Sequence, residues 1–555
     1  MGKWFVEPVY QLRPSSEKVI QFRGLNRKPM IDDGEMRDMK NLSSDEYPCL
    51  VQRHARGKVV LNDGEESIYH DPQQMIVKYD RIAVMDKQGG YGYSLYYDNQ
   101  YIDSWQEPQT MIGMNNMIVL FPAKVYFDAK AFLEADEGDD PVIVPLEAYV
   151  TAKTVAVESE DYNTKLTFPS GTDLSSFKAE DTITMYGTLT VGSNNYEYSE
   201  EYPIGALVNS IEGNVMYLEP DVFLELNESG TTTGSIADIE VMRLCPDLAC
   251  VMEHGNRLWG ASDDDNTIRC SKLADPTNWE YYQGESLDSY AATQGTEGAW
   301  TGCAAYSTHL LFFKENYIHK VYGSYPAQFQ IAVQEANGVE LGSMKSIVII
   351  EDFVFYKSRI GIMCYSGDRP ELVSGTFAAN TYRNAVAGAN RRKYYVSMQN
   401  TNDAYEMLVF DTALNVWHRE DFTKAECFCF WDEQLLFADD QGNVWAVDGG
   451  DTKDEKQLTW FAELGPFTEY LEDKKVISKI KARYVLEPGA RVETFLKTDN
   501  NDYEMVGEFD DELESHGMIR IIPQRCDKYW VRFEGRGRCR IESIVRQYRA
   551  ANGQY

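Results

Sequence analysis

Histidine is scarce in this chain: seven among 555 residues, at positions 54, 70, 254, 309, 319, 418 and 516. None stands in an HxH or HExxH spacing, so no two imidazoles are set on one face to hold a metal. His309 and His319 flank an expected hairpin and read as hydrogen-bonded or solvated strand residues. The ten cysteines do not form a CxxC pair; neither Cys245 with Cys250 nor Cys427 with Cys429 has zinc or redox spacing, so buried, reduced thiols are expected. Basic residues are few, 53 against 88 acidic ones, for a formal charge of -35. Such a surface repels a phosphate backbone, which argues against nucleic-acid recognition; it serves solubility and suits a passage along which DNA slides without adhering. Long apolar runs are missing, and nothing approaches the roughly 18 to 20 residues of a membrane span. The start, MGKWFVEPVYQLRPSS, has no apolar segment of signal-peptide length, so a soluble protein made in the cytoplasm is expected.

Signatures of catalysis are also lacking. There is no GxSxG elbow and no P-loop; GGYGY at 89–93 has neither a following Lys-Ser/Thr nor a helix to present amides, and reads as a hairpin turn. Asp263, Asp264 and Asp265 are adjacent, so their carboxylates point to different sides and lack the alternate spacing of a calcium loop; a solvated loop is expected. No catalytic, cofactor-binding or metal-binding residue is assigned, and no enzymatic activity is expected. One alternative stays open. Carboxylates are too numerous to reveal the pair a glycosidase needs, and the Tyr and Trp content suits sugar faces, so a propeller that binds or cleaves host glycans remains the second reading.

Aromatic residues make up 13% of the chain, with 36 Tyr, 24 Phe and 10 Trp, a composition suited to the half-buried surfaces of sheets. A unit of polar turn, bulky apolar strand, tight turn and second strand recurs seven times, beginning at Asp80, Asn115, Gly255, Thr308, Glu351, Arg391 and Asp432. The last four starts recur at about 40 residues, the period of a four-stranded propeller blade. Continuous apolar runs such as LLFF and FVFY fit strands covered on both faces. The expected fold is therefore all-β: a propeller of six or seven blades, the uncertainty lying in whether the first and last units share a blade. Between the second and third units about 100 residues are surplus to that period. The alternating runs there, AYVTAKTVAV, TKLTF and DTITMYG among them, predict a small inserted β-barrel or sandwich. The expected divisions are an extended N-terminal arm over 1–56, first blades over 57–147, the insert over 148–242, remaining blades over 243–462 and a C-terminal β-sandwich over 463–555.

Three stretches carry a family resemblance. The opening FRGLNRKPMIDDGEMRDMKNLSSDEYPCLVQRHARG contributes Gly24, Gly34, Glu35, Asn41, Pro48, Leu50 and Arg53; HGNRLWGASDDDNTIRCSKLADPTNW contributes Asn256, Arg257, Leu258, Trp259, Ser271, Asp275, Pro276 and Trp279; FVFYKSRIGIMCYSGDRPELVS contributes Gly361, Tyr365, Gly367 and Pro370. Together they resemble the propeller-bearing tail hub, stabilisation and nozzle proteins of tailed bacteriophages, with Arg359-Ile360 standing where those proteins often carry a polar residue and Asp. The resemblance implies a structural virion protein without a cofactor, a ring of commonly six copies joined to portal, adaptor and other tail proteins. Its passage would retain the packaged genome and conduct it during ejection without reading its sequence. It also implies structural roles for the quoted residues: Arg257 pairing within its blade, Trp259 and Trp279 filling core between blades.

Overall fold

The computed structural model describes residues 14–59, 69–136, 140–160, 163–219, 222–223, 232–449, 455, 458–510 and 516–551. Strands dominate throughout, and a short helix at Ala129–Glu134 is capped by Asp128, whose carboxylate accepts from the amides of Lys130 and Ala131.

Seven sheets have four antiparallel strands each. The first comprises Pro72–Lys78, Arg81–Lys87, Tyr93–Tyr97 and Gln100–Trp105, hydrogen-bonded in chain order. The second to sixth repeat this meander over 110–145, 250–293, 300–335, 348–372 and 382–421. The seventh takes three strands from 425–446, and Gly57–Lys58 supplies its outer strand. The seven sequence units all begin at the turn between the first two strands of a sheet. At most of these turns the backbone enters the left-handed region, at Tyr79 and Asp80, at Gly255 and Asn256, and at Asp432 and Glu433. Two successive residues of that kind give the tight reversal that matches strand twist. The first and last units thus occupy separate sheets, and among the described residues the four-stranded sheets number seven.

The second strand of a sheet is buried along nearly its whole length, as in RLWGAS, HLLFFK and FVFYKS. Its neighbours explain why. Met111, Ile118 and Leu120 of the second sheet pack on Leu95 and Tyr97 of the first. From the other face of the same sheet, Ile112, Val119 and Phe121 meet Leu258 and Trp279 of the third. Burial of each such side chain contributes about 1.5–3 kcal/mol.

The contacts divide the chain into two compact units, Gln73–Leu341 and the combination of Met1–Pro72 with Gly342–Tyr555. The first unit holds sheets one to four and the insert. Its insert is a closed barrel of six strands, Ala148–Glu160, Asn163–Thr167, Val215–Glu219, Ile204–Glu212, Thr182–Val191 and Thr233–Arg243, the last pairing back to the first. Of the two forms expected for the insert, a barrel is the one adopted. Val155, Val157, Leu166, Leu189 and Val208 fill its interior. Gly187 sits at a bulge where a Cβ would come within 2.7 Å of Ile236, so the two strands can approach there only without a side chain.

The second unit holds sheets five to seven and a sandwich. One sandwich sheet is built on Cys539–Ala550 and Lys475–Leu486, the other on Thr459–Phe467, Tyr529–Arg536, Arg491–Thr498 and Glu504–Asp510. Where the sequence suggested an extended arm before residue 57, the structure shows four strands entering these two sheets. Ser15–Val19 and Leu50–Gln52 pair with Cys539–Ala550, Leu42–Ser43 extends that edge, and Met36–Lys40 pairs with Thr459–Phe467. Val19, Phe22, Leu25, Met36, Met39 and Leu42 are buried in the common core. Each apolar run in this segment is too short to hold itself, and the partner that buries it lies more than 350 residues away in sequence.

Candidate interaction site

The most connected sequence-derived residues lie on the third sheet. Asn256 occupies its first turn with φ 57°, and its carbonyl accepts from the Ala274 amide at 2.8 Å. Arg257, buried, donates to four backbone carbonyls: Ser271 at 2.8 Å, Asp288 at 2.6 Å, Leu287 at 3.2 Å and Ser286 at 2.7 Å. These carbonyls belong to the long loop 271–289, so one guanidinium fixes both ends of that loop. The pairing expected within the sheet is thus made to main-chain oxygen.

Asp275 shapes the same loop, accepting from the amide of Thr277 at 3.0 Å and its hydroxyl at 2.6 Å. Burial works against its charge, but Lys178 at 2.9 Å and the Thr277 donors outweigh it and hold the carboxyl below its ordinary range. Trp279 donates its indole N–H to the Pro276 carbonyl at 2.9 Å and sets its ring against Phe121 of the second sheet. Trp259 packs against Phe329 of the fourth sheet, ring centroids 4.9 Å apart. Lys178 and Glu180, which sequence reading did not single out, come from the barrel: Lys272 pairs with Glu180, and Asn278 donates to the Glu180 carbonyl at 2.7 Å. The loop therefore fastens the barrel to the third sheet. Beside it a cleft of about 590 Å³ opens between the third and fourth sheets, lined by Trp259, Tyr306, His309, Tyr325 and Phe329.

On the fifth sheet, Gly361 has φ 143°, and a Cβ there would lie 2.4 Å from the Ser374 hydroxyl. Tyr365 is fully buried and donates to the carbonyl of Gly367 at 2.8 Å, which holds the turn leading to Pro370.

The other polar candidates are structural. His309 and His319 are buried strand residues whose imidazoles are pushed down to about 4 by burial, so both are neutral near pH 7. His319 shares a hydrogen bond of 2.9 Å with Thr296. None of the ten cysteines is in a disulfide. Burial pushes the Cys270, Cys427 and Cys429 thiols up to about 12, so they are inert as nucleophiles. Asp263 accepts from the Trp300 amide and Asp265 pairs with Arg269, which leaves the acidic run serving two local contacts. GGYGY forms the turn between two strands of the first sheet. Among the described residues no group of three His, Cys, Asp or Glu is placed to hold a metal, and no helix is long and apolar enough to cross a membrane.

In the second unit, buried ion pairs anchor the N-terminal segment. Arg53 grips Glu455 with both terminal nitrogens at 2.7 and 3.0 Å, while its Nε donates to Asn41. Arg56 donates to Glu420 at 2.6 Å and Asp421 at 2.8 Å, with its guanidinium over the Phe437 ring. Burial opposes the charge on Asp421, yet Arg56 and Arg53 keep its carboxyl low. Arg27 pairs with Glu406 and Arg546 with Asp33 and Glu469, and nearer the surface a part-exposed Glu46 pairs with Arg538 and Arg540. A depression of about 900 Å³ beside these anchors is lined by Asp45, Arg53, Glu351, Arg391, Lys393 and Glu433. His418 lies beneath, pushed down to about 3 by burial and the Lys393 charge despite Asp45.

A second depression, of about 500 Å³, lies on the outer face of the sandwich sheet that contains Arg491–Thr498. Strand alternation puts Val492, Thr494 and Leu496 inward and leaves Arg491, Glu493, Phe495 and Lys497 on the outer face. Cross-strand register then aligns Lys40, Phe461, Glu534, Glu493 and Glu508 in one row. Arg491 pairs with Glu493 at 2.7 Å and Glu508 at 2.8 Å, and Arg532 with Glu534 at 2.6 Å. Phe422 forms one wall, half exposed, with its ring 4.5 Å from the Arg419 guanidinium. The alternation RVETFLKT marks this strand in the sequence; that Phe422 and Lys40 join it could not be read there.

No protein family matches the sequence, and no curated protein matches it. Among solved structures the chain is similar to the computationally designed Ika8 protein at 10% identity and TM-score 0.30, covering 70% of this chain and 99% of that one. It is also similar to BBS1N in complex with ARL6DN, at 8% identity and TM-score 0.34, covering 72% and 99%. A third likeness is to PorZ, a surface component of the type-IX secretion system of Porphyromonas gingivalis, at 8% identity and TM-score 0.24, covering 88% and 77%. At such scores these likenesses carry no argument about function.

Proposed function

We propose that the seven four-stranded sheets form a seven-bladed β-propeller and that the chain is a structural subunit of a bacteriophage tail, without enzymatic activity. The observation that carries the propeller is the seventh sheet, whose outer strand Gly57–Lys58 comes from just ahead of the first sheet. Joining residues from both ends of a repeat array in one sheet is how a ring of blades is closed. The tail assignment rests on the resemblance, and what supports it is the work done by the residues that carry that resemblance. Gly24 and Gly34 adopt positive φ against the carbonyls of Trp417 and Gln21, Asn41 bridges Arg53 and the Thr459 carbonyl, and Arg257 binds a loop. All are scaffold roles.

In this reading the subunits assemble into a ring, commonly of six, below portal and adaptor, and the charge of -35 keeps the passing DNA from adhering. A ring of identical copies needs heterologous contacts, and the barrel and sandwich offer surface that the sheets do not use. Peptide mass spectrometry of purified virions, with gold-labelled antibody on the particles, tests the assignment. The chain is expected in stoichiometric amounts at the tail; its absence from virions would overturn the reading.

A further inference from the structure

We infer that the depression on the outer sandwich sheet is a binding subsite for a neutral carbohydrate. A saccharide presents an apolar C–H face and a rim of hydroxyls, each of which both donates and accepts. The depression supplies the complement of both. Phe422 is 52% exposed and offers one ring face to solvent, while its position is fixed from beneath by Arg419. Arg419 is itself only 4% exposed and paired with Asp38 at 2.9 Å, which holds the cation beneath the ring. Facing this wall, Glu493 and Glu534 are acceptors and Lys40 and Arg491 donors.

Charge decides against other ligands. Glu493 and Glu534 already carry guanidinium partners at 2.7 and 2.6 Å. A neutral polyhydroxyl ligand can bond to such pairs without breaking them, whereas a cation would have to displace a guanidinium and an anion reaching Lys40 or Arg536 would meet the fixed carboxylates of Glu493 and Glu534 beside them. An apolar ligand would strip water from ionised groups without replacing their hydrogen bonds. The volume of about 500 Å³ lies within the range of small-ligand sites and accommodates one or two sugar rings.

The inference does not depend on the tail assignment, since it concerns one sheet face whatever the chain assembles with. The test presents the fluorescently labelled full chain to an array of neutral hexose and N-acetylhexosamine oligosaccharides, and titrates the best ligand by calorimetry. Phe422→Ala removes the platform at a half-exposed position, and an affinity loss of about tenfold or more is expected. Glu534→Gln should lose less, and Phe430→Ala, an exposed ring on the seventh sheet, should bind as the parent does. No binding by the parent chain at millimolar oligosaccharide, or equal affinity for Phe422→Ala, would overturn the inference. Light scattering on the same variants reads assembly separately, so loss of sugar binding and loss of ring formation are distinguishable.

Discussion

The barrel and the sandwich are both small β structures with alternating cores, yet they are encoded in opposite ways. The barrel is one contiguous stretch, Ala148–Glu160 through Thr233–Arg243, closed by pairing its last strand to its first. The sandwich draws strands from both ends of the chain, Ser15–Val19 and Met36–Lys40 on one side and 459–550 on the other. Its N-terminal contribution is held by buried arginines as well as by apolar contact. Local encoding makes the barrel separable, and distributed encoding makes the sandwich dependent on residues hundreds of positions away.

Four changes press on that difference. The largest effect should come from fragments: residues 146–245 expressed alone are expected to give a β-sheet circular dichroism spectrum and a cooperative melt, whereas 458–551 without 14–58 should aggregate or remain unfolded. Next, Arg56→Ala removes the two short contacts to Glu420 and Asp421 and leaves them only Arg53 at 3.7 and 3.5 Å, and the urea transition of the second unit is expected to lose about 1.5–3 kcal/mol, with the barrel transition unmoved. Arg257→Met leaves the loop carbonyls without a donor at a cost of roughly 1–3 kcal/mol, and limited proteolysis should then cut within 271–289. At the small end, Arg383→Ala removes an exposed pair with Asp403, and a change of about 0–1 kcal/mol is expected.

Acid should act on both units in a defined order. His309 and His319 in the first unit and His418 in the second have folded values of about 4, 4 and 3, below the ordinary 6.5. The unfolded chain therefore binds more protons in that window, and the stability these groups contribute is present above pH 6.5 and lost as pH falls toward 4. Asp421, Glu406 and Glu455 of the second unit also have lowered values. Their contribution is present above the ordinary carboxylate value and lost below it, so the second unit should weaken further than the barrel on continued acidification. Urea midpoints measured from pH 8 to 3 with a probe in each unit check this order.

Local pattern made part of this architecture legible. Asp80, Asn115, Gly255 and Asp432 mark real turns because positive φ favours Asn, Asp and Gly, and the starts at Thr308, Glu351 and Arg391 are legible from the continuous apolar runs of the buried second strands that follow them. The barrel strands announce themselves by alternation. What could not be read is every pairing made at long range: Gly57–Lys58 completing the seventh sheet, Ser15–Val19 lying on Cys539–Ala550, and Arg53 reaching Glu455. The same limit hid the sandwich depression. Phe422 stands in a connection after the sixth sheet, Lys40 near the start and Glu493 near the end, and no spacing links them.

The central claim, a propeller scaffold that works as a ring of copies, is tested most directly by native mass spectrometry of the purified chain over a range of concentrations, with and without isolated tail fractions. A closed oligomer of defined number, formed alone or on the tail fraction, is the predicted result. A strict monomer that ignores tail components at every concentration would contradict it.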